Sequence, residues 1–403
     1  MKLYAQQGYG TGSGENDRII AGLSRGYVQG AIISPKDFPF DRATQLLESM
    51  GSDFPWAERL FDPQYYASVL AHDPESRLGK LGSDDYSFFE ARRRSQLESE
   101  STVRTDLDTC LRFQSQLPVS AVIAPSIVIR QRFNSVEAVI AKSFIRNARE
   151  RWHSVGDARP LLVTLAMDAE ALQDRHALEE FLGDITVLDS PPDGFYVLVH
   201  QPTSEIAPEL VDPRTLAGWM LVNHSLSLNG FQVINGYSDI LTPFLAAAGA
   251  SAGATGWFNT QKVFSLDRFA PPSPGGGRPV MRYLSKRLLN SIRFDELQSL
   301  RGRFPEVLNA LGTDSFFDAQ NGSLPNGQLE EVMQTWEAIS SFSSGDSNPT
   351  LSDCREWVAT ATALYERINL SPALRLTGRS NGDHLEALQG GLDLFAELAE
   401  IDF

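Results

Sequence analysis

Cysteine is nearly missing from this chain. Its 403 residues carry two, Cys110 and Cys354. Two thiols cannot build a disulfide framework, and no CxxC or HExxH spacing offers a zinc site. Long apolar runs are missing as well. None approaches the roughly eighteen residues of a membrane-spanning helix, and the opening stretch MKLYAQQGYGTGSGENDR has no apolar signal core. The expectation is a cytoplasmic protein with no membrane partner. Positive charge is in short supply too: 35 Lys and Arg stand against 51 Asp and Glu, a net charge of −16. That sign disfavours a general polyanion binder, because phosphate neutralisation drives nucleic-acid affinity. GxSxG, Walker A and Rossmann fingerprints do not occur. The stretch GYGTGSGEN from Gly8 to Asn16 is glycine-rich but out of phase for GxGxxG, and no P-loop lysine follows. It reads as a flexible loop or as backbone amides for an anion.

What is present is a recurrence of short apolar runs: KLYAQ, GAIIS, RLFD, SAVIAPS, PLLVTLAMD, GFYVLVH, FQVING and GASAGATGW. Continuous apolar runs suit strands buried on both faces, as parallel sheets require. Amphipathic stretches such as NDRIIAGLSRGYV, FDRATQLLESM and VEAVIAKSFIRNARERW lie between them. Eight such units in about 260 residues predict an α/β fold of the (β/α)8 TIM-barrel type, with a doubly wound open sheet as the alternative. The barrel is expected over 1–270, with an enlarged insertion at about 72–118 holding a long helix from Phe88 to Gln116. From Pro271 the stretch APPSPGGGRPV breaks the pattern. A mainly helical C-terminal appendage over 271–403 is expected, with helices near 284–311, 327–342, 351–368 and 383–400.

A barrel of this type carries function at the carboxyl ends of its strands. Those ends offer Gln6, Gln7, Asp37, Asp62, Gln64, Tyr65, Tyr66, Asp168, His200, Asn235, Tyr237 and Trp257. Asp62, in FDPQYY, is the candidate catalytic residue, either a general base or a polar anchor for a planar nitrogenous ligand. The competing reading is an Asp that caps a turn ahead of Pro63. Tyr65 and Trp257 supply rings for stacking. Asp37 and Asp168 either join Asp62 in a carboxylate cluster for acid–base work or a divalent ion, or cap turns. His200 directly follows an apolar strand, where it either titrates usefully or is a hydrogen-bonded core histidine. Gln64, Asn235 and Tyr237 complete the ligand-binding set. Between Lys262 and Arg303 nine basic residues face only Asp267, Asp295 and Glu296. This basic island is either a solvated face or a partner site.

The segment INGYSDILTPFLAAAGASAGATGWF resembles the late barrel segment of the tRNA-guanine transglycosylase family, and LFDPQYY is loosely similar to that family's early aspartate motif. The resemblance implies a (β/α)8 barrel, with Asp62 matching the aspartate that acts as general base. It also implies a nucleobase or 7-deazaguanine-type ligand, and a place in nucleic-acid modification or antiviral defence. Two departures accompany it. Ala254 falls where the family has its nucleophilic aspartate, and an alanine cannot form a covalent intermediate. The zinc cysteines are absent. The resemblance is therefore to a divergent, zinc-free relative, with no cofactor expected. The alternative is a non-catalytic barrel that docks a partner protein through its helical C-terminal region.

Overall fold

The computed structural model describes residues 1–14, 17–201, 212–271, 280–318, 328–343, 345, 347–371, 374 and 376–401, without the side chain of Asn259. All eight apolar runs form strands. These are β1 (Lys2–Gln6), β2 (Gly30–Ile33), β3 (Glu58–Phe61), the pair β4 (Val122–Ala124) and β5 (Val128–Ile129), β6 (Leu161–Asp168), β7 (Gly194–His200), β8 (Gln232–Asn235) and β9 (Ala252–Thr255). They pair in parallel in the order β3-β2-β1-β9-β8-β7-β6-β4, with β5 continuing along β6. The remaining seam, between β3 and β4, is joined by Ser120 N–H donating to the Arg59 carbonyl at 2.8 Å, and by Arg59 N–H donating to Ser120 Oγ at 2.8 Å. The result is a nearly closed (β/α)8 barrel. Residues Gly30–Ile33 and Gly194–His200 are buried throughout, as continuous apolar patterning requires.

Helices return the chain between strands. They are α1 (Arg18–Ser24), α2 (Phe40–Asp53), α3 (Arg94–Leu97), α4 (Glu100–Ser115), α5 (Val136–Val155), α6 (Arg175–Thr186), α7 (Pro213–Leu228) and α8 (Thr242–Ala247). Their ends follow local chemistry. Ser135 caps α5 by accepting Ala138 N–H, and Gly156 closes it at φ 79°. Asp212 caps α7, with Pro213 in its first turn. In the enlarged insertion the long helix is α4, which starts at Glu100 and not at Phe88, with the short α3 ahead of it. Phe88 instead packs into an aromatic cluster with Phe61, Tyr86 and Phe113.

The stretch GASAGATGW forms β9, and its small residues have a steric cause. A Cβ on Gly253 would lie 2.4 Å from Thr242 Oγ1 and 2.6 Å from Ser238 Oγ. That is closer than any side chain tolerates.

Beyond the barrel, the Pro/Gly break at 272–279 and the stretch SLPNG lie outside the described residues. The helix expected near 284–311 is corrected. Residues Arg282–Ser285 (β10) and Asn290–Arg293 (β11) form an antiparallel hairpin, followed by a short helix α9 (Phe294–Arg301). Tyr283, Leu284, Leu288, Leu289 and Ile292 are all buried. Their spacing satisfies helical and alternating patterns alike, so periodicity alone could not decide. Helices α10 (Gln328–Ser340), α11 (Leu351–Asn369) and α12 (His384–Leu398) follow. They pack on the barrel through α1 and β1, α8, and α7 respectively. Among the described residues no helix is long and apolar enough to cross a membrane.

Candidate functional site at the barrel mouth

Strand register decides which side chains meet at the carboxyl ends. Asp62 follows β3 and has no exposed surface. Its two oxygens do different things. Oδ1 accepts Gln64 N–H at 2.9 Å, the turn-capping role that FDPQYY also allowed. Oδ2 faces the barrel interior, where the Tyr66 hydroxyl donates to it at 3.0 Å. The Tyr196 hydroxyl lies between Asp62 Oδ2 at 3.4 Å and Gln6 Oε1 at 3.3 Å. Burial pushes the Asp62 carboxyl up to about 6, against the opposing pull of the Gln64 N–H, Tyr66 and Arg268. Burial, with Asp62 close by, keeps the Tyr66 and Tyr196 phenols protonated far above the ordinary range.

Arg268 comes from the segment after β9, a 3-10 turn over Leu266–Phe269, and enters this chamber from above. Its guanidinium donates to the Tyr237 hydroxyl and, at 3.1 Å, to Asp37 Oδ2. Burial works against its charge, but Tyr237, Asp37, Tyr66 and Asp62 hold it above its usual range. Phe264, from the same segment, packs edge-on to Tyr66 with centroids 4.9 Å apart. It also packs against Tyr237 and His200. The Phe264–Phe269 segment therefore packs on Tyr66, which donates to Asp62, and on Tyr237 and His200.

On its outer side lies a cleft of about 350 Å³ lined by Val69, Asp73, Arg130, His200, Leu266 and Phe269. Asp168 and His200 are register partners at the ends of β6 and β7. His200 Nδ1 is 3.0 Å from Asp168 Oδ1, off the line of a straight hydrogen bond. The other Asp168 oxygen takes Arg130 Nε at 3.2 Å and Gln131 N–H at 3.2 Å. Among the described residues His200 Nε2 has no partner.

Two further features concentrate here. Seven described non-glycine residues have positive φ, and four of them follow mouth-facing strand ends: Gln64 (51°), Gln131 (56°), Tyr237 (54°) and Asp239 (39°). Each left-handed residue costs about 1–3 kcal/mol, and such strain gathers at functional sites. At the strand ends the buried atoms Gln6 Nε2, Gln64 Nε2, Ser126 Oγ and His200 Nε2 have no partner among the described residues, as do others elsewhere in the barrel and the C-terminal region.

The expected site residues thus separate. Asp62, Gln64, Asp37 and Tyr237 lie on the inner side of the segment, while His200 lines the outer cleft with Asp168 beside it. Three others turn elsewhere. Asn235 accepts Trp219 Nε1–H at 2.6 Å and bonds reciprocally with Asn223, both on α7. The Tyr65 hydroxyl donates to Asp106, itself clamped by Arg92. Trp257 donates to the Tyr9 carbonyl at 2.8 Å beneath Arg18. Asp37, Asp62 and Asp168 form no joint cation cluster, and no group of three or more His, Cys, Asp or Glu suited to a metal occurs among the described residues. Sequence reasoning missed Arg268, Tyr196 and Arg130. Tyr196 carried a signal, since it shares the inward face of β7 with His200 at period two. Arg268 carried none beyond its place in the basic island. Other island members are used inside the chain, as in Arg293–Asp295 and Arg301–Asp318.

No family model matches the chain, and no curated protein does. Among solved structures it is similar to dihydrodipicolinate synthase from Oceanobacillus iheyensis, at 11% identity and a TM-score of 0.22, over 73% of this chain and 80% of that one. A likeness that loose bears on no chemistry. The barrel assignment rests on the strand order itself.

Proposed function

We propose that this chain is a barrel of enzymatic type that takes a small polar ligand, of nucleobase or 7-deazaguanine type, in the outer cleft at its mouth. The observation that carries this reading is His200. Its Nε2 has no partner among the described residues, Asp168 stands beside its ring, and it forms part of the cleft wall with Arg130. A histidine with one nitrogen beside a carboxylate and the other unengaged suits general acid–base work or the anchoring of a ring nitrogen. A cleft of about 350 Å³ lies at the small end of ligand sites, large enough for one base and too small for an oligonucleotide. The transglycosylase resemblance supplies the ligand class. Ala254, fully buried in β9, offers no nucleophile, so base exchange through a covalent intermediate forms no part of the proposal.

The test is calorimetric titration with guanine, 7-deazaguanine, adenine and uracil. Saturable binding of a purine-type base is expected, weakened at least tenfold in His200→Gln and Arg130→Ala with folding intact. If none of the four binds, or both variants bind as the parent does, the proposal fails.

A further inference from the structure

The C-terminal region carries an inference independent of the barrel mouth. Arg355 meets Asp393 near one end of α11, and Tyr365 meets His384 near the other, so α11 and α12 run antiparallel. Between them lies an open groove of about 930 Å³, larger than the outer cleft. Its shape follows from the sequence. Along α11 the exposed residues Ala359, Thr362, Ala363, Glu366 and Asn369 share one helical face. Glu386, Gln389, Gly390 and Asp393 of α12 form the opposite wall. Alanine and glycine keep the trough open where longer side chains would close it. The buried Val358 and Leu385 form its floor. Leu370, the C-cap of α11, continues the spacing of Ala359, Ala363 and Glu366 and is 82% exposed.

Charge decides what suits this groove. Glu366, Asp383, Glu386 and Asp393 line it, and no Lys or Arg does. Arg355 offsets Asp393 alone. Glu366 and Glu386 make no ion pair among the described residues. An apolar trough with a rim of one sign favours a partner of the other sign, because matched potentials steer association and like charges reject it. A second copy presenting this same face is disfavoured on that ground, and so is nucleic acid. The trough follows α11 from Val358 to Asn369, about three helical turns. A helix seated there sets apolar side chains against the alanines and basic ones against Glu366 and Glu386.

We propose that the α11–α12 groove docks a basic amphipathic helix of a partner protein. The partner's apolar stripe fills the trough, and Lys or Arg on its two flanks pairs with the carboxylates of both walls.

Fluorescence anisotropy tests this on the full chain, with the labelled peptide LKKLAKKLKKLAKK at physiological ionic strength. Saturable one-to-one binding is expected. Ala359→Phe/Ala363→Phe fills the trough without touching charge and should weaken binding about tenfold. Glu366→Gln/Glu386→Gln, and the uncharged peptide LQQLAQQLQQLAQQ, should each cost about as much. Glu48→Gln/Glu75→Gln removes two exposed carboxylates elsewhere and should bind as the parent does. No binding to the parent, or undiminished binding in the filled variant, overturns the proposal. An equal loss in Glu48→Gln/Glu75→Gln reduces the binding to general charge and overturns it too. Sedimentation of the parent covers the other occupant: a dimer that Ala359→Phe/Ala363→Phe disperses makes the occupant a second copy, against the proposal. Melting temperatures confirm that each variant folds. Should the filled variant not fold, Thr362→Trp, at an exposed position of the same wall, takes its place.

Discussion

His200 Nδ1 stands 3.0 Å from Asp168 Oδ1 because β6 and β7 are in register at their last residues. Parallel pairing alone sets this contact: a slip of one residue would turn one side chain to the other face. The same carboxylate fixes the left-handed turn at Gln131 through its N–H. Asp168→Ala should therefore loosen the 130–135 turn and lower global stability by about 1–3 kcal/mol. Denaturant titration, with limited proteolysis at Arg130 and Arg132, checks both effects. An unchanged cleavage rate would show that Asp168 does not hold the turn.

Asp62 makes stability fall as pH rises. Its carboxyl is raised from 3.8 to about 6 on folding, chiefly by burial. The folded state therefore binds more protons than the unfolded state between those values. The contribution is full at low pH and is lost as pH rises to about 6, by roughly 3 kcal/mol at most. Asp62→Asn removes this slope. Relative to the parent, the variant should gain about 1–3 kcal/mol between pH 4 and pH 7 in denaturant titrations.

His384 has the opposite sign. Burial lowers its imidazole from 6.5 to about 4, against backbone carbonyls of Leu288 and Leu289 that favour the charge. Here the unfolded state binds more protons, so the neutral ring's contribution is full above 6.5 and is lost as pH falls toward 4. His384→Gln should flatten the acid limb by about 2–3 kcal/mol. A parent-like limb in the variant would assign acid sensitivity elsewhere.

Asn235 holds α7 to β8. Asn235→Ala leaves Trp219 Nε1 without its acceptor and Asn223 Oδ1 without its donor, both buried, at a cost of about 1–3 kcal/mol each. Binding at the outer cleft should be unchanged, because the Asn235 amide faces α7. Parallel calorimetry and denaturation separate the two readouts.

Gly22 is the seam between barrel and C-terminal region. A Cβ there would sit 2.5 Å from the buried Trp336 ring of α10. Gly22→Ala should destabilise by about 1–3 kcal/mol through overpacking. A melting temperature equal to the parent's would mean that the ring gives way.

The sequence by itself determined the eight barrel strands. Each buries both faces and so reads as an unbroken apolar run from KLYAQ to GASAGATGW. It also placed Asp62, Asp37, Asp168, His200 and Tyr237 at strand ends, because a strand's last residue is a local property. Side-chain direction and partner are not local. Asn235 and Tyr65 also end or follow strands, yet both turn outward to helices. Arg268, 206 positions after Asp62 in the chain, enters the chamber only because the segment after β9 folds back across the mouth. Tertiary structure alone decided this. The carboxylates draw a buried cation from whatever segment the closed barrel brings within reach, and no spacing in the sequence records that distance.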